Sequence, residues 1–169
     1  MSALVSVASE AHTRPRPKAL ATILAGGLCA GFLDGCDAVV FYGSTAGASP
    51  TLIFQYIASG LLGARAFAGG WHTVALGIAL HFVIAIGAAS VYYVLSVLWP
   101  ALLRRPWLWG PLFGVGAYFF MQKAVIPLSL VSREPHPFFT LEFADQMLSH
   151  TMFVGFPIAW IARRSSQAC

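Results

Sequence analysis

Residues 141–153, LEFADQMLSHTMF, decide the fold class because they place strongly polar side chains inside an otherwise apolar segment. At 100° per residue, these polar side chains fall within about 140° of arc, and the rest of the helix surface is apolar apart from one threonine. The pattern predicts a transmembrane helix whose polar face is turned towards other helices and whose apolar face is turned towards lipid. The polar side chains are Glu142, Asp145, Gln146, Ser149 and His150.

The composition of the whole chain is that of a polytopic membrane protein. Its 169 residues are 58% hydrophobic and only 9% charged, and the mean hydropathy is +0.74. A soluble domain is about 25% charged, so this chain lacks the polar surface that would cover it in water. The net charge of +4 comes from short groups of cations near segment ends. Such groups are typical of membrane topology signals and argue against nucleic acid as a partner, which leaves the lipid bilayer as the predicted one.

Hydropathy predicts an all-α, four-transmembrane-helix bundle in a single domain, residues 19–163, between an N-terminal tail (1–18) and a C-terminal tail (164–169). Each predicted span has the roughly 20 residues that a crossing needs. A cleaved signal peptide is the alternative for the first span, but that apolar run is too long for one and contains two aspartates. The predicted spans are about 19–43, 71–100, 107–130 and 141–162.

An extra short helix is predicted at about residues 50–65. Ser49 followed by Pro50 is typical of a helix start, with a hydroxyl N-cap before a proline at the first helical position. The apolar run that follows, about fourteen residues, is short for a crossing. We therefore expect an interfacial or re-entrant helix at the outer face, ended by Gly69 and Gly70.

The cations predict the orientation of the bundle. With four spans, the two tails and the loop 101–106 share one side of the membrane. The loops of the other side carry only Arg65 and Arg133. By the positive-inside rule, both termini are predicted to be cytoplasmic. The cations of the first side are Arg14, Arg16, Lys18, Arg104, Arg105, Arg163 and Arg164.

Ionisable groups on all four spans are predicted to share one layer. In the first span, Gly27, Gly31 and Gly35 recur every four residues, which allows close approach of another helix, and Asp34 and Asp37 lie beside this stripe. At 1.5 Å per residue, the remaining groups reach similar depths. A lone charge there costs about 2.5–3.5 kcal/mol, so these groups should be paired or hydrated. The predicted polar core is Asp34, Asp37, His81, Lys123, Glu142, Asp145, Gln146 and His150.

Two specific contacts are predicted within this layer. Asp34 and Lys123 lie about 22–24 Å from the inner ends of their spans, so we expect them to form an ion pair. His81 and His150 lie about 14–15 Å from the outer ends of theirs, so we expect their rings to face each other across the core.

The predicted layer allows several functions. The first is a site that binds or passes a small ligand, an ion or a proton, for which carboxylates and imidazoles are the usual groups. A second is a haem b held by His81 and His150 as axial ligands. A third is a divalent metal, zinc or iron, bound by Glu142, Asp145 and His150.

The runner-up from another class is a purely structural or accessory subunit of a homo-oligomer or larger membrane complex, in which the polar layer only fixes helix register. Signatures of nucleophilic catalysis, phosphate loops and dinucleotide sites are absent from the sequence. No catalytic residue is therefore predicted, and a non-enzymatic function is favoured.

Several stretches resemble a group of small bacterial inner-membrane proteins with four spans. They are GGLCAGFLDGCDA at 26–38, IASGLLGARAFAGG at 57–70, ALGIALHFVIA at 75–85 and VGFPIAW at 154–160. The resemblance implies four spans and a bacterial cell membrane, and it implies no activity and no site residues.

Overall fold

The computed structural model describes residues 19–131 and 139–167, and all regular structure in these ranges is helical. This confirms the predicted all-α fold. The predicted N-terminal tail, the loop 132–138 and residues 168–169 lie outside the described residues. In the first half of the chain, the helices are α1 (Ala19–Ala46), α2 (Pro50–Leu62), a 3₁₀ helix (Gly63–Ala68), α3 (Gly70–Leu98) and α4 (Ala101–Arg104).

The second half forms two long segments, each interrupted by a π-helix. The third segment consists of α5 (Pro106–Phe120), a π-helix (Met121–Val125) and α6 (Ile126–Leu128). The last segment consists of α7 (Leu141–Ser149), a π-helix (His150–Gly155) and α8 (Phe156–Gln167).

Four described segments are long and apolar enough to cross a membrane: Ala19–Ala46, Pro50–Ala68, Gly70–Leu98 and Pro106–Leu128. Three of them match the first three predicted spans. The set includes the α2 segment, because the 3₁₀ helix extends it to 19 residues. It does not include the last segment, Leu141–Gln167, which is long enough to cross but is made less apolar by its polar face and its arginines.

The predicted glycine stripe is where α1 packs against α3. A Cβ atom at Gly27 would lie 2.6 Å from the Cα of Ile86, and one at Gly31 would lie 2.8 Å from the ring of Phe82. Only glycine allows two backbones to approach this closely. Residue numbers rise along α1 as they fall along α3, so the two helices are antiparallel. The close approach predicted for this stripe is confirmed.

The α2 segment leaves and rejoins the bundle at the same end. Since α1 and α3 are antiparallel, the C-terminal end of α1 and the N-terminal end of α3 lie together, and α2 connects them. The Leu130 amide, just after the third segment, donates to the Gly60 carbonyl at 2.9 Å. The α2 segment therefore lies at this end of the bundle and is long enough to cross a membrane, so its interfacial or re-entrant placement stays a prediction. We call this the α2 end, and the opposite end, where α4 lies, the α4 end.

The third and last segments are joined by a second set of glycines that the sequence analysis did not identify. A Cβ at Gly110 would lie 2.9 Å from the Gly155 carbonyl, and one at Gly114 would collide with the His150 carbonyl. The sequence GPLFG at 110–114 has the Gly-xxx-Gly spacing of such crossings. A core of small and aliphatic residues from α1, α3 and the last segment completes the α4 end around Tyr92.

Each π-helix is followed two residues later by a proline, Pro127 in the third segment and Pro157 in the last. Proline has no amide hydrogen and clashes with the carbonyl four residues earlier. A π turn relieves this by widening the helix to an i→i+5 pattern. The side chains in a π turn therefore point in directions that differ from those of a regular α-helix.

Candidate functional site

A cavity of about 1080 Å³ lies between α1, α2, α3, the third segment and α7. It exists because α1 packs against both α3 and the last segment, and α5 packs against the last segment, while α3 and α5 pack little against each other. They meet towards the α4 end, where the rings of Tyr92 and Phe113 are 5.1 Å apart. Towards the α2 end they stand apart, and the space between them is the cavity, which we call the α3/α5 cavity.

One part of the lining is polar and the rest is apolar. Most of the polar side chains come from α1, the last segment and one position of α3. Five of them belong to the predicted polar core: Asp34, His81, Glu142, Gln146 and His150. We call these five residues the polar wall. The sides formed by α3 and α5 carry apolar residues such as Ile84, Val91, Phe113 and Ala117. The helical-wheel prediction that these polar residues turn inward is therefore consistent with the structure.

Asp34 and His81 lie side by side in the polar wall. The Ser149 hydroxyl donates to Asp34 Oδ1 at 2.8 Å, which joins α1 to α7. His81 Nε2–H donates to the Gly31 carbonyl at 2.8 Å, which joins α3 to α1. Gly35 gives the imidazole its space, since a Cβ there would lie 3.2 Å from His81 Nε2.

Glu142 and His150 form the α7 side of the polar wall. The Tyr42 hydroxyl donates to Glu142 Oε1 at 2.7 Å, a second bond between α1 and α7. His150 Nδ1–H donates to the carbonyl of Gln146 in its own helix at 2.9 Å. Its ring stands edge-on to Tyr118, with 5.6 Å between the ring centroids. The bond through Nδ1 fixes the His150 ring and leaves Nε2 as the nitrogen for a ligand.

Asp37 and Asp145 are half-buried beside the polar wall and do not line the cavity. In each of them Oδ2 is buried and has no hydrogen-bond partner within residues 19–131 and 139–167. The charges of Asp37, Asp34 and Glu142 all act on Asp145. The region between α1 and α7 is therefore strongly acidic.

Lys123 is placed differently from the prediction. Its side chain is exposed and does not line the cavity, and the neighbouring Gln122 lines it instead. Asp34 has Ser149 as its hydrogen-bond partner in place of the predicted Lys123. The physical reason is the π-helix at Met121–Val125. Its wider turn advances each residue by less than 100°, so the wheel drawn for a regular α-helix misplaces Lys123.

The two cofactor alternatives fit the geometry poorly. In the described part of the chain, no group of three His, Cys, Asp or Glu side chains is arranged to hold a metal ion, so Glu142, Asp145 and His150 do not form the predicted ligand set. His81 and His150 both line the cavity, as a haem site would require. However, His81 Nε2 is hydrogen-bonded to the Gly31 carbonyl, so it does not point at a shared iron.

Sequence reasoning missed Tyr42 as a member of the site. The signal was present, because Asp34, Ala38 and Tyr42 recur every four residues along α1 and all three line the cavity. The apolar part of the cavity was also missed, because it depends on which helices fail to pack against each other.

Comparisons with protein-family models, with curated proteins and with solved structures found no match to this chain. We therefore infer its function from the α3/α5 cavity and its lining.

Proposed function

We propose that this chain is a non-enzymatic multi-pass membrane protein that binds a small, lipid-soluble molecule in the α3/α5 cavity. The observation that carries the proposal is the cavity of about 1080 Å³ with a polar wall and apolar sides. Binding sites for small molecules in proteins are of about 300–1000 Å³, mostly apolar, with a few polar groups that orient the ligand. The cavity lies just above this range in size and matches the description in chemistry.

The cavity opens sideways between α3 and α5. Apolar side chains at this opening are strongly exposed: Ile84 by 40%, Val91 by 53% and Phe120 by 64%. Gly87 and Gly116 also lie there, and a Cβ at either would meet no atom within 4 Å. In a bilayer an opening between two apolar helices faces acyl chains, and α2 covers the end of the bundle. We therefore infer that the ligand enters from the lipid.

Binding is supported by how the polar wall is held. Asp34, His81 and Glu142 each make a hydrogen bond to a neighbouring helix. These bonds fix the side chains as a rigid polar surface.

We also propose a location in the bacterial inner membrane with both termini in the cytoplasm. The described cations support the orientation, because Arg104, Arg105, Arg163 and Arg164 gather at the α4 end, where Arg163 Nη1 donates to the Arg104 carbonyl at 3.5 Å. Arg65 lies at the α2 end. The positive-inside rule then places the α4 end in the cytoplasm and α2 outside. The location in a bacterial membrane is inferred from the resemblance of the sequence to small bacterial inner-membrane proteins.

The binding proposal is tested by photolabelling the purified protein in nanodiscs with a 12-carbon alcohol that carries a photoreactive diazirine. We expect labels on lining residues of α3 and α5, such as Val91 and Phe113. Gly116→Trp should block this labelling because it fills the opening, whereas Phe119→Trp should not, because Phe119 is exposed outside the lining. Equal labelling of all lipid-facing residues, unchanged by Gly116→Trp, would overturn the proposal.

A structural or accessory subunit, alone in a homo-oligomer or within a larger membrane complex, is the second candidate. It is favoured by one observation: three bonds of the polar wall join two helices, from Ser149 to Asp34, from Tyr42 to Glu142 and from His81 to Gly31. If the polar wall is only structural, removing one of these bonds lowers stability while the cavity-filling Gly116→Trp changes no labelling pattern. The photolabelling experiment therefore separates the two candidates.

A further inference from the structure

We propose that the ligand of the α3/α5 cavity is an amphipathic cation, with an ammonium-type head at the polar wall and an apolar tail between α3 and α5. This inference rests on the binding function proposed above. It adds the charge of the ligand and the direction in which the ligand lies.

The charge of the lining favours a cation. Asp34 and Glu142 contribute carboxylates, and the described lining contains no lysine or arginine. The bond that Asp34 receives from Ser149 comes from a neutral hydroxyl, which leaves the negative charge of Asp34 in place. A charge at bilayer depth is costly on its own, and an opposite charge in a ligand offsets that cost.

The residues behind the polar wall strengthen this preference. Asp37 and Asp145 lie beside the wall, and each has a buried carboxylate oxygen without a hydrogen-bond partner in the described ranges. An anionic head would meet repulsion from these acidic groups, and a neutral head would gain nothing from them. A cation within the cavity is attracted by all of them at once.

Aromatic rings near the wall also suit an ammonium head. Tyr42 from α1 and Tyr56 and Phe54 from α2 line the cavity at the side of the α2 segment. A cation over the face of an aromatic ring gains about 0.5–1 kcal/mol at exposed sites and more when it is desolvated. Carboxylates and aromatic rings together are the chemistry that proteins use for alkylammonium groups.

The tail direction follows from the shape of the cavity. Away from the polar wall, the lining residues on α3 and α5 are apolar: Ile84, Ala88, Val91, Phe113, Ala117 and Phe120. The space closes where Tyr92 meets Phe113 and opens sideways at Gly87 and Gly116. An alkyl chain or an apolar ring system can therefore lie between the helices while the head stays at the wall.

The test uses the full chain in nanodiscs and measures how three probes compete with the photoreactive alcohol. The probes are dodecylamine, dodecanol and dodecanoate, which share a 12-carbon chain and have a cationic, a neutral and an anionic head. We expect dodecylamine to block labelling of Phe113 at a concentration roughly tenfold lower than dodecanol, and dodecanoate to be the weakest. Asp34→Asn should reduce the preference for the amine to near unity, because it keeps the shape and the bond to Ser149 but removes the charge. Cys36→Ser, an exposed position on the same helix, should leave the preference unchanged.

The outcomes distinguish failure of the cation preference from failure of the binding function. Equal competition by dodecylamine and dodecanol would overturn the cation and leave the binding site intact. Absence of cavity labelling in the unmodified chain would overturn the binding function itself and the cation with it. If Asp34→Asn does not fold, Glu142→Gln serves as the second charge-removing variant. A preference for the amine that survives in every folded variant of this pair would overturn the assignment of the head to the polar wall.

Discussion

The hydroxyl of Ser149 illustrates how one small side chain holds two helices together. Ser149 is almost fully buried, with 2% of its surface exposed, and it donates to Asp34 across the α1–α7 contact. Bonds of this kind between membrane helices contribute about 0.6 kcal/mol on average and about 1.7 at most. Since the acceptor is a carboxylate, we expect this bond to lie towards the upper value.

We therefore expect Ser149→Ala to lower the free energy of unfolding by about 1–2 kcal/mol. The measurement is reversible unfolding in mixed micelles with increasing sodium dodecyl sulfate. Ser96→Ala is the matched control, because Ser96 is also buried but donates to Tyr93 in its own helix. The prediction fails if both alanine variants lose the same stability.

Two neighbouring glycines of α5 should respond oppositely to the same substitution. At Gly114, a Cβ would collide with the His150 carbonyl, whereas at Gly116 it would meet no atom within 4 Å. Gly114→Ala should destabilise the protein by about 1–3 kcal/mol, because two backbones have to separate. Gly116→Ala should be neutral or stabilise it by up to about 1 kcal/mol, because alanine favours the helix. The same unfolding assay measures both variants. Equal effects would contradict the close crossing of α5 and the last segment at Gly114.

The inward direction of four side chains in regular helix could be predicted. Asp34, His81, Glu142 and Gln146 all lie in α-helical turns, and a wheel at 100° per residue placed them inward, as the structure does. Lys123 lies within a π turn and the same wheel misplaces it, whereas His150, at the start of the other π turn, lines the cavity as predicted. The partner of Asp34 could not be predicted either, because it depends on the relative height of two helices to within one turn.

Among the elements, the π-helix of the last segment matters most for the site. It separates Ser149, which bonds to α1, from Gly155, which packs against α5. A regular helix would rotate one of these residues relative to the other, so both contacts depend on the wider turn. Pro157 favours that turn because it leaves a helix carbonyl without its usual donor.

We expect Pro157→Ala to restore a regular α-helix and to uncouple the two contacts. In that background, Ser149→Ala should cost little further stability, since its bond to Asp34 is already weakened. The measurement is a double-mutant cycle of the two substitutions in the unfolding assay. Pro111→Ala is the control, because Pro111 lies inside α5 and no π-helix precedes it. Full additivity of Pro157→Ala and Ser149→Ala would show that the π-helix does not align the contacts.

For the α2 segment, hydropathy predicts a helix but does not predict the path of that helix relative to the bundle. The sequence predicted a short helix at 50–65, and its N-cap is confirmed: Ser49 accepts from the Leu52 amide at 3.2 Å. The 3₁₀ extension to Ala68 makes the segment long enough to cross a membrane. What decides its path is the antiparallel packing of α1 and α3, a tertiary contact that carries no hydropathy signal.

At the scale of the whole molecule, the cation distribution predicts a topology that can be measured in cells. In a chain whose own cysteines are replaced by serine, Ser44→Cys, an exposed position at the α2 end, should react with a membrane-impermeant maleimide added to intact cells. A cysteine at Ser165 should react only after the cells are broken. Labelling of both positions from outside, or of Ser165 alone, would contradict the proposed orientation.

Composition and span lengths predicted the all-α fold because they follow from the needs of the bilayer, which act on every residue. The α3/α5 cavity could not be predicted, because it arises from two separate glycine crossings. Gly27 and Gly31 hold α1 to α3, and Gly110 and Gly114 hold α5 to the last segment. The cavity is the space between these two helix pairs, so it depends on how the pairs are arranged relative to each other.

The return of the α2 segment to its starting end has a consequence for biosynthesis. Each crossing of the membrane places the following loop on the opposite side. One additional crossing by α2 would therefore invert the orientation of every helix from α3 onward. A 19-residue apolar stretch emerging from the ribosome is long enough to be inserted as a span. The insertion machinery must therefore leave Pro50–Ala68 uncrossed, and Arg65 near its end makes crossing costlier. An apolar substitution at Arg65 thus lowers the cost of crossing and produces a population of chains that are inverted from α3 onward.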